Sequence, residues 1–238
     1  MKRLLSTILA VVLVLSYTPG ILPQVSAETV DTCEEYLTWE VSGDQVFIED
    51  CDESISGDII IPATLGGYPV ISISANAFDN CTGITGVTIL EGVRFLSKGA
   101  FYGCENLKSV ALPNSVELIG DYAFMNCTSL ESITIPENVG YIGMEAFDNC
   151  SSLTDVIVKG AVSISSGAFN NCSSLTGIWV DENNSFYCSD ARGVLYNKDK
   201  TTLIQAPGGI TDAYTIADSV TVETAVVVIN SQIGVEVG

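Results

Sequence analysis

Histidine is absent from the 238-residue chain. This absence excludes Ser-His and Cys-His nucleophile pairs, imidazole ligands for zinc and the commonest general base. The eight cysteines include no Cys-x-x-Cys pair, and no acidic segment follows the spacing of a calcium loop. Carboxylates are plentiful, but nothing singles out two of them as an acid–base pair. We therefore expect no enzymatic activity, no cofactor and no metal.

Positive charge is also scarce, because 9 Lys and Arg residues stand against 29 Asp and Glu residues and give a net charge of -20. Nucleic acid and anionic membrane surfaces would repel such a chain, so we expect neither as a partner. The chain is 47% hydrophobic and only 16% charged, which excludes general disorder.

A long apolar run occurs only near the N-terminus, from Leu4 to Leu15. Lys2 and Arg3 precede it, and the small residues Ser26 and Ala27 follow it. This pattern predicts a secretory signal peptide cleaved near Ala27. The run is shorter than the roughly 20 residues of a membrane span. We therefore expect a secreted or cell-surface protein without membrane insertion after the signal is removed.

The rest of the chain contains an internal repeat. The string Ala-Phe-x-x-Cys occurs five times, with successive copies 22 or 23 residues apart. Since one such unit cannot bury its own apolar residues, stacked units are expected to form continuous core ladders. The predicted ladders consist of Phe78, Phe101, Phe124, Phe147 and Phe169, and of Cys81, Cys104, Cys127, Cys150 and Cys172.

Each unit also carries a short segment with a period of two, such as Ile133-Thr134-Ile135. This alternation predicts a strand with two residues directed inward and one outward. Pro136 directly after it would end the strand. The Ala-Phe-x-x-Cys segment is predicted to return the chain as a helical or 3₁₀ turn, so the units predict a repeat solenoid of short parallel strands.

The unit resembles the bacterial BspA-like class of leucine-rich repeats. The clearest copy contains Cys127, Leu130, Ile133, Ile135, Pro136, Val139, Ile142, Gly143, Ala146 and Phe147. The resemblance extends from about Ile59 to about Val222, and Gly193 to Ile204 resembles the hairpin insertion of this family. It implies a right-handed leucine-rich-repeat coil and an adhesive or host-protein-binding role at the cell surface, without catalytic residues.

The two ends of the solenoid need caps. Alternating residues in 37–41 and 45–48 predict a β-hairpin cap at the N-terminal end. Cys33 and Cys51 flank this hairpin and are either a disulfide pair or two free thiols. The predicted organisation is a signal peptide at 1–27, a β cap at 28–58, the solenoid at 59–182, and a hairpin insertion with an incomplete last rung and C-terminal segment at 183–238.

The C-terminal segment departs from the repeat. Tyr214 to Ile216 predicts another strand, but no Gly-x-x-Ala-Phe closure follows it. Ala225 to Ile229 is apolar and β-prone. This run is either an unusual cap or the exposed edge of an interrupted coil.

The asparagine that precedes the repeat cysteine also admits two interpretations. Asn80, Asn126, Asn149 and Asn171 lie in Asn-x-Ser/Thr triplets. Because all four occupy one repeat position, we interpret them as turn formers rather than glycan acceptors.

Two columns of side chains are candidates for ligand binding. The residue between the inward strand positions is Thr88, Ala111, Thr134, Ile157 or Trp179, and a second column is Phe95, Leu118 and Tyr141. Trp179 is either an interface anchor or packed beneath Phe186 and Tyr187. The second column is either exposed or partly buried. Ile157, Trp179 and Thr134 are the candidates on the first column.

The sequence therefore favours a recognition or adhesion module that binds an extracellular protein or glycan, possibly host-derived, through exposed solenoid faces. The alternative is a structural or display element, or a fragment of a longer surface protein, without a ligand of its own.

Overall fold

The computed structural model of the protein describes residues 33–161, 163–165, 167–216, 218–221 and 235–236. The predicted signal peptide at 1–27 and the apolar run from Ala225 to Ile229 lie outside the described residues. Within the described part, no helix has the length and apolarity that crossing a membrane requires.

The N-terminal cap begins with a 3₁₀ helix at Cys33–Tyr36, followed by strands β1 (Leu37–Ser42) and β2 (Gln45–Cys51). The two strands pair antiparallel through a turn at Gly43. Gly43 has a φ of 64°, a left-handed backbone conformation that a residue without a Cβ adopts readily. Val46 and Ile48 of β2 are fully buried, whereas β1 is mostly exposed. The predicted hairpin cap is thus confirmed.

The remaining strands are short, and most of them recur once in each repeat. In chain order they are β3 (Gly57–Ile61), β4 (Thr64–Leu65), β5 (Tyr68–Ile73), β6 (Ile84–Ile89), β7 (Phe95–Leu96), β8 (Ser109–Ala111), β9 (Leu118–Ile119), β10 (Ser132–Ile135), β11 (Tyr141–Ile142), β12 (Asp155–Val158), β13 (Ser163–Ile164), β14 (Gly177–Val180), β15 (Tyr187–Ser189), β16 (Leu195–Asn197), β17 (Leu203–Gln205), β18 (Tyr214–Thr215) and β19 (Val235–Glu236).

Two sheets run along the solenoid, and within each of them the strands of successive repeats pair in parallel. The six-stranded sheet has the order β14-β12-β10-β8-β6-β3, and every neighbouring pair in it is parallel. The eight-stranded sheet begins at the cap with β1-β2-β5 and continues through β7, β9, β11 and β13, while β4 pairs with β5. Because successive repeats pair in constant register, equivalent residues form straight columns. The fold is the repeat solenoid that the sequence predicts.

The repeat phenylalanines form the central column of the core. Phe101, Phe124, Phe147 and Phe169 stack with ring centroids 5.3 Å apart, and Phe78 lies 4.9 Å from Phe101. All five rings are buried. This offset stacking adds to the free energy gained from burying each ring, and it confirms the predicted phenylalanine ladder.

The Ala-Phe-x-x-Cys segments return the chain through successive hydrogen-bonded turns. In the repeat at Phe124, the Ala123 N–H donates to the Gly120 carbonyl at 3.2 Å and the Cys127 N–H donates to the Phe124 carbonyl at 3.2 Å. The Phe124 N–H meanwhile donates to the Ala146 carbonyl of the next repeat at 2.7 Å. The return is therefore a 3₁₀-like chain of turns whose remaining donors link neighbouring repeats.

The repeat cysteines are buried and bond to the preceding repeat. The Cys127 thiol donates to the Phe101 carbonyl at 3.2 Å, and Cys104, Cys150 and Cys172 make the equivalent bond at 3.1 to 3.2 Å. Burial in this core raises the pKa of the Cys172 thiol to about 12. These thiols form the predicted cysteine ladder and stay protonated at neutral pH.

The asparagine before each repeat cysteine has a left-handed backbone. Asn126, Asn149 and Asn171 have φ between 55° and 63°, and Gly103 occupies the same position with φ 68°. The Asn149 side-chain amide donates to the Asn126 side-chain oxygen at 2.9 Å. Asparagine tolerates this backbone better than other residues with a Cβ, which agrees with the interpretation of these residues as turn formers.

A small antiparallel sheet of β15, β16 and β17 follows the last complete repeat. The β16–β17 hairpin matches the insertion predicted at Gly193 to Ile204. Val194, Tyr196 and Leu203 form a separate small core beneath it. The predicted strand near Tyr214 is β18, which pairs in parallel with β19.

The predicted disulfide between Cys33 and Cys51 is not formed in the structure, which describes both residues as free thiols. The Cys33 thiol donates to the Ile60 carbonyl at 3.2 Å, so its sulfur is directed toward β3. The Cys51 thiol instead interacts with the Cys81 thiol of the first complete repeat. Although Cys33 and Cys51 flank the same hairpin in sequence, their thiols therefore have different neighbours in the structure.

Candidate binding face

The six-stranded sheet carries an outward column formed by the middle residue of each strand. Thr134 pairs with Ile157, and Ile157 pairs with Trp179. Ile157 is 44% exposed and Trp179 is 39% exposed. Thr88 and Ala111 continue the column in the same register. The structure thus places the first predicted column on the surface.

A second row lies beside this column on the same side of the sheet, because it consists of the residues two positions earlier in each strand. Most of its members are small, so the sheet surface is low and flat along most of its length. The row comprises Asp58, Gly86, Ser109, Ser132, Asp155 and Gly177. We call these two rows together the binding face.

Trp179 is held in place on the binding face by two neighbours. Its indole N–H donates to the Asp155 carboxylate at 3.1 Å. The ring also covers Gly177 so closely that a Cβ added to this glycine would lie 2.4 Å from the indole atoms Cε2 and Cζ2. The indole is therefore fixed in orientation while one part of its surface faces solvent.

This geometry bears on the interpretation in which Trp179 packs beneath Phe186 and Tyr187. Phe186 is 48% exposed and does not form a cover over a buried indole. The Tyr187 hydroxyl accepts a hydrogen bond from the Ile164 N–H at 2.9 Å, so it is directed toward the eight-stranded sheet. The prediction that Trp179 packs beneath these two residues is wrong, because its ring lies along the sheet over Gly177 instead.

The second predicted column, Phe95, Leu118 and Tyr141, lies on the eight-stranded sheet and is half-buried. The Arg94 guanidinium stands 5.1 Å from the centroid of the Phe95 ring. The Tyr141 hydroxyl accepts a hydrogen bond from Ser165 at 3.0 Å. The two columns belong to different sheets, and the structure does not bring them together into one site.

Sequence analysis missed a depression on the turn side of the first repeats. Lys98 Nζ lies 5.5 Å from the centroid of the Tyr122 ring there, and Asp79 contributes a buried oxygen without a hydrogen-bond partner in the described structure. The lining residues are Asn76, Asp79, Lys98, Gly99, Tyr102 and Tyr122. They occupy turn positions whose identity changes from repeat to repeat, so no periodic signal marks them.

A cluster of titratable groups joins the hairpin insertion to β18. The Tyr214 hydroxyl donates to Asp190 Oδ2 at 2.5 Å and is hydrogen-bonded to the Tyr196 hydroxyl. Burial, and then these two hydrogen bonds, raise the pKa of Tyr214 well above its usual value. The Arg192 guanidinium lies 5.5 Å from the Tyr214 ring centroid. The cluster fastens two elements to each other.

Potential metal ligands are dispersed. Within residues 33–221, apart from the three positions there that the structure does not describe, no three Cys, Asp or Glu side chains converge as a metal site would require. In the acidic stretch from Glu49 to Glu53, the Glu49 carboxylate accepts a hydrogen bond from the Ser74 hydroxyl at 2.8 Å.

A coil of parallel strands with stacked apolar columns and hydrogen-bonded return turns defines a leucine-rich-repeat protein. Residues 69–191 match the family model described as the BspA type leucine rich repeat region, which has 6 copies. Because the match covers more than half of the chain, the chain belongs to this family, and the resemblance inferred from the repeat is confirmed.

Solved structures of bacterial leucine-rich-repeat proteins share the fold. The leucine-rich-repeat protein of T. pallidum is 22% identical, with a TM-score of 0.57 and coverage of 78% of each chain. The pneumococcal vaccine antigen PcpA is 21% identical, with a TM-score of 0.54; the match covers 78% of this chain and 58% of PcpA. No curated protein sequence matches this chain significantly.

Proposed function

We propose that the protein is a non-enzymatic recognition module at the cell surface or outside the cell, and that it binds an extracellular protein or glycan through the binding face. The observation that carries this proposal is the orientation of Trp179. The indole is fixed by Asp155 and Gly177, yet it remains 39% exposed. A rigid exposed tryptophan loses little conformational entropy on binding, and this residue type dominates the energetics of interfaces.

The surroundings of Trp179 support a binding role. Ile157 is the neighbouring outward residue, and it too is exposed although it is large and apolar. Thr134 and Ser132 continue the surface with small hydroxyl groups. Trp179 and Ile157 thus form an apolar end of the binding face, and the small polar residues beside them form the rest. Protein interfaces have the same arrangement, with an apolar centre and a hydrogen-bonding rim.

The shape of the face favours a partner that lies across several strands. A small molecule needs a concave pocket that encloses most of its surface, whereas the second row of the face is filled with glycine and serine along most of its length. A protein segment or a glycan chain can lie along such a row. Since the whole chain is strongly acidic, a neutral or basic partner surface is favoured, and a host-derived protein or glycan of that kind is included in the proposal.

The export of the protein rests on its N-terminal sequence. Lys2, Arg3, the apolar run from Leu4 to Leu15 and the small residues before Glu28 have the order of a secretory signal. The test is N-terminal sequencing of the protein recovered from the medium and from the cell surface of an expressing bacterium. A mature N-terminus near Glu28 would support export, and an intact N-terminus on cytoplasmic protein would contradict it.

The binding proposal is tested by presenting the purified mature chain to arrays of extracellular-matrix proteins and glycans, alongside Trp179→Ala. Phe186→Ala is the matched control, because Phe186 is also a large exposed aromatic residue but lies outside the binding face. The proposal predicts capture by at least one ligand that is lost in Trp179→Ala and retained in Phe186→Ala. Capture that survives Trp179→Ala unchanged on every ligand would refute it.

A display role without a ligand is the second candidate. It is favoured by the incomplete repeat after Tyr214, where no Gly-x-x-Ala-Phe closure occurs in the sequence. If the folded monomeric chain binds nothing on the arrays, this second candidate replaces the first.

A further inference from the structure

Cys51 and Cys81 differ from the other cysteines of the core in their hydrogen-bond partner. Cys104, Cys127 and the later repeat thiols each donate to a phenylalanine carbonyl of the preceding repeat. No Ala-Phe-x-x-Cys unit precedes Cys81, so that acceptor does not exist for it. The Cys81 thiol instead interacts with the Cys51 thiol.

The backbone around the two cysteines brings them together from both sides. Before Cys51, strand β2 is paired with β5, and the Ser74 N–H donates to the Ile48 carbonyl at 2.8 Å. After Cys51, the Gly57 N–H donates to the Gly83 carbonyl at 2.9 Å. The chain between these two points passes so close to the first repeat that a Cβ on Gly83 would lie 2.3 Å from the Ile55 carbonyl oxygen. The contact between the thiols is therefore part of a continuous seam between cap and coil.

From this seam we infer that Cys51 and Cys81 are an oxidation site, at which a disulfide forms and covalently fastens the N-terminal cap to the first repeat. The interaction between the two thiols, with backbone hydrogen bonds between the same two segments on either side of Cys51, places the sulfurs near each other, as a disulfide requires. Both cysteines are buried, but Cys51 at 7% exposure is more accessible than the repeat cysteines, which are at most 1% exposed. This inference does not depend on the ligand of the binding face.

The oxidant is a small-molecule or protein disulfide, and the reaction is thiol–disulfide exchange. One thiol of the pair loses its proton, and its sulfur attacks a sulfur of the oxidant to form a mixed disulfide and release one thiol. The second thiol then loses its proton and displaces the remaining oxidant sulfur, which leaves as the second thiol. Two electrons and two protons thus pass to the oxidant, and one S–S bond forms in the protein as one breaks in the oxidant.

The two thiols of the pair have different pKa values. The interaction with Cys51 lowers the pKa of Cys81, whereas the interaction with Cys81 and then burial raise the pKa of Cys51, so Cys81 supplies the attacking thiolate. Burial raises the pKa of Cys127 and Cys150 well above the usual value. Oxidation is therefore expected to be selective for the first pair.

The experiment is incubation of the purified folded protein with oxidised glutathione, followed by alkylation of the remaining thiols, digestion and mass spectrometry without reduction. Trypsin cannot resolve the pairing, because no Lys or Arg lies between Cys33 and Cys81. Chymotrypsin can, because Phe47 lies between Cys33 and Cys51, and Phe78 lies between Cys51 and Cys81. We expect a linked Cys51–Cys81 peptide pair with the repeat cysteines from Cys104 onward alkylated. Two alkylated peptides, or a Cys33–Cys51 link, would overturn the inference.

Thermal unfolding of oxidised and reduced protein provides the second readout. A bridge that closes a loop of this length is expected to raise the unfolding temperature by about 5–10 °C. The increase should disappear in Cys51→Ser and persist in the matched ladder variant Cys104→Ser, whatever the starting stability of each variant. An increase that persists in Cys51→Ser would assign the effect to another pair of cysteines and contradict the inference.

Discussion

The indole of Trp179 owes its position to the absence of a side chain at Gly177. A methyl group there would lie 2.4 Å from the ring, so Gly177→Ala is expected to move the ring off the sheet and break its hydrogen bond to Asp155. In a Trp39→Phe background, where Trp179 is the single tryptophan, we predict a red shift of fluorescence emission and stronger quenching by acrylamide. Ser132→Ala, in the same row, should leave both unchanged. An unaltered spectrum in Gly177→Ala would show that the ring is not held by this contact.

The stacked phenylalanines are among the largest fully buried side chains. Phe124 is fully buried and stacks 5.3 Å from a ring on each side. We predict that Phe124→Ala lowers the free energy of unfolding by about 3–5 kcal/mol, because it removes a buried ring and leaves a cavity. Phe186→Ala, which truncates an exposed ring, should change it by less than about 0.5 kcal/mol. Urea denaturation followed by circular dichroism measures both, and similar losses in the two variants would contradict the ladder's role.

At the scale of the repeat element, the turn before each cysteine depends on a left-handed residue. Asn149 has φ 58° and links to Asn126 through its side chain. Asn149→Ala is expected to lower the free energy of unfolding by about 1–2 kcal/mol, since alanine is strained in this conformation. Asn149→Gly should cost less, because glycine already occupies the equivalent position at Gly103. Thermal unfolding compares the two, and a greater loss in the glycine variant would exclude backbone strain as the cause.

The sequence predicted the structural features that recur in every repeat. A ladder position is specified by the same residue type recurring at one spacing, so Phe124, Cys127 and the outward Thr134 could be assigned without coordinates. The hairpin cap was also predictable, because alternation on both sides of Gly43 is a local signal.

Contacts between parts of the chain without periodicity could not be predicted in this way. Cys51 is nearer in sequence to Cys33 than to Cys81, and only the pairing of β2 with β5 and of β3 with β6 shows that Cys81 is its neighbour. The orientation of Trp179 depends on Gly177 and Asp155, one of which belongs to another repeat. The depression at Lys98 likewise arises where unlike turns meet.

At the scale of the whole molecule, the excess of negative charge opposes the compact state. The chain has 20 more acidic than basic residues, and Arg94–Glu117 is the single ion pair within the described residues. Raising the ionic strength from about 0.01 M to about 0.15 M shortens the screening length from about 30 Å to about 8 Å. We therefore predict that the unfolding temperature rises with NaCl over this range. A fall would mean that attractive pairs outweigh the repulsion.

The two long sheets of the solenoid, with six and eight strands, each carry one of the predicted columns. The central claim is that the binding face of the six-stranded sheet, and not the column on the eight-stranded sheet, recognises a partner. The most direct test is the dissociation constant of the strongest array ligand for the wild type, Trp179→Ala and Tyr141→Ala. Tyr141 is the matched control, because it is an aromatic residue of the other predicted column and lies on the eight-stranded sheet. We predict that Trp179→Ala weakens binding by about tenfold or more and that Tyr141→Ala changes it by less than about twofold. Loss of binding in Tyr141→Ala with an unchanged constant for Trp179→Ala would contradict the claim and assign recognition to the eight-stranded sheet.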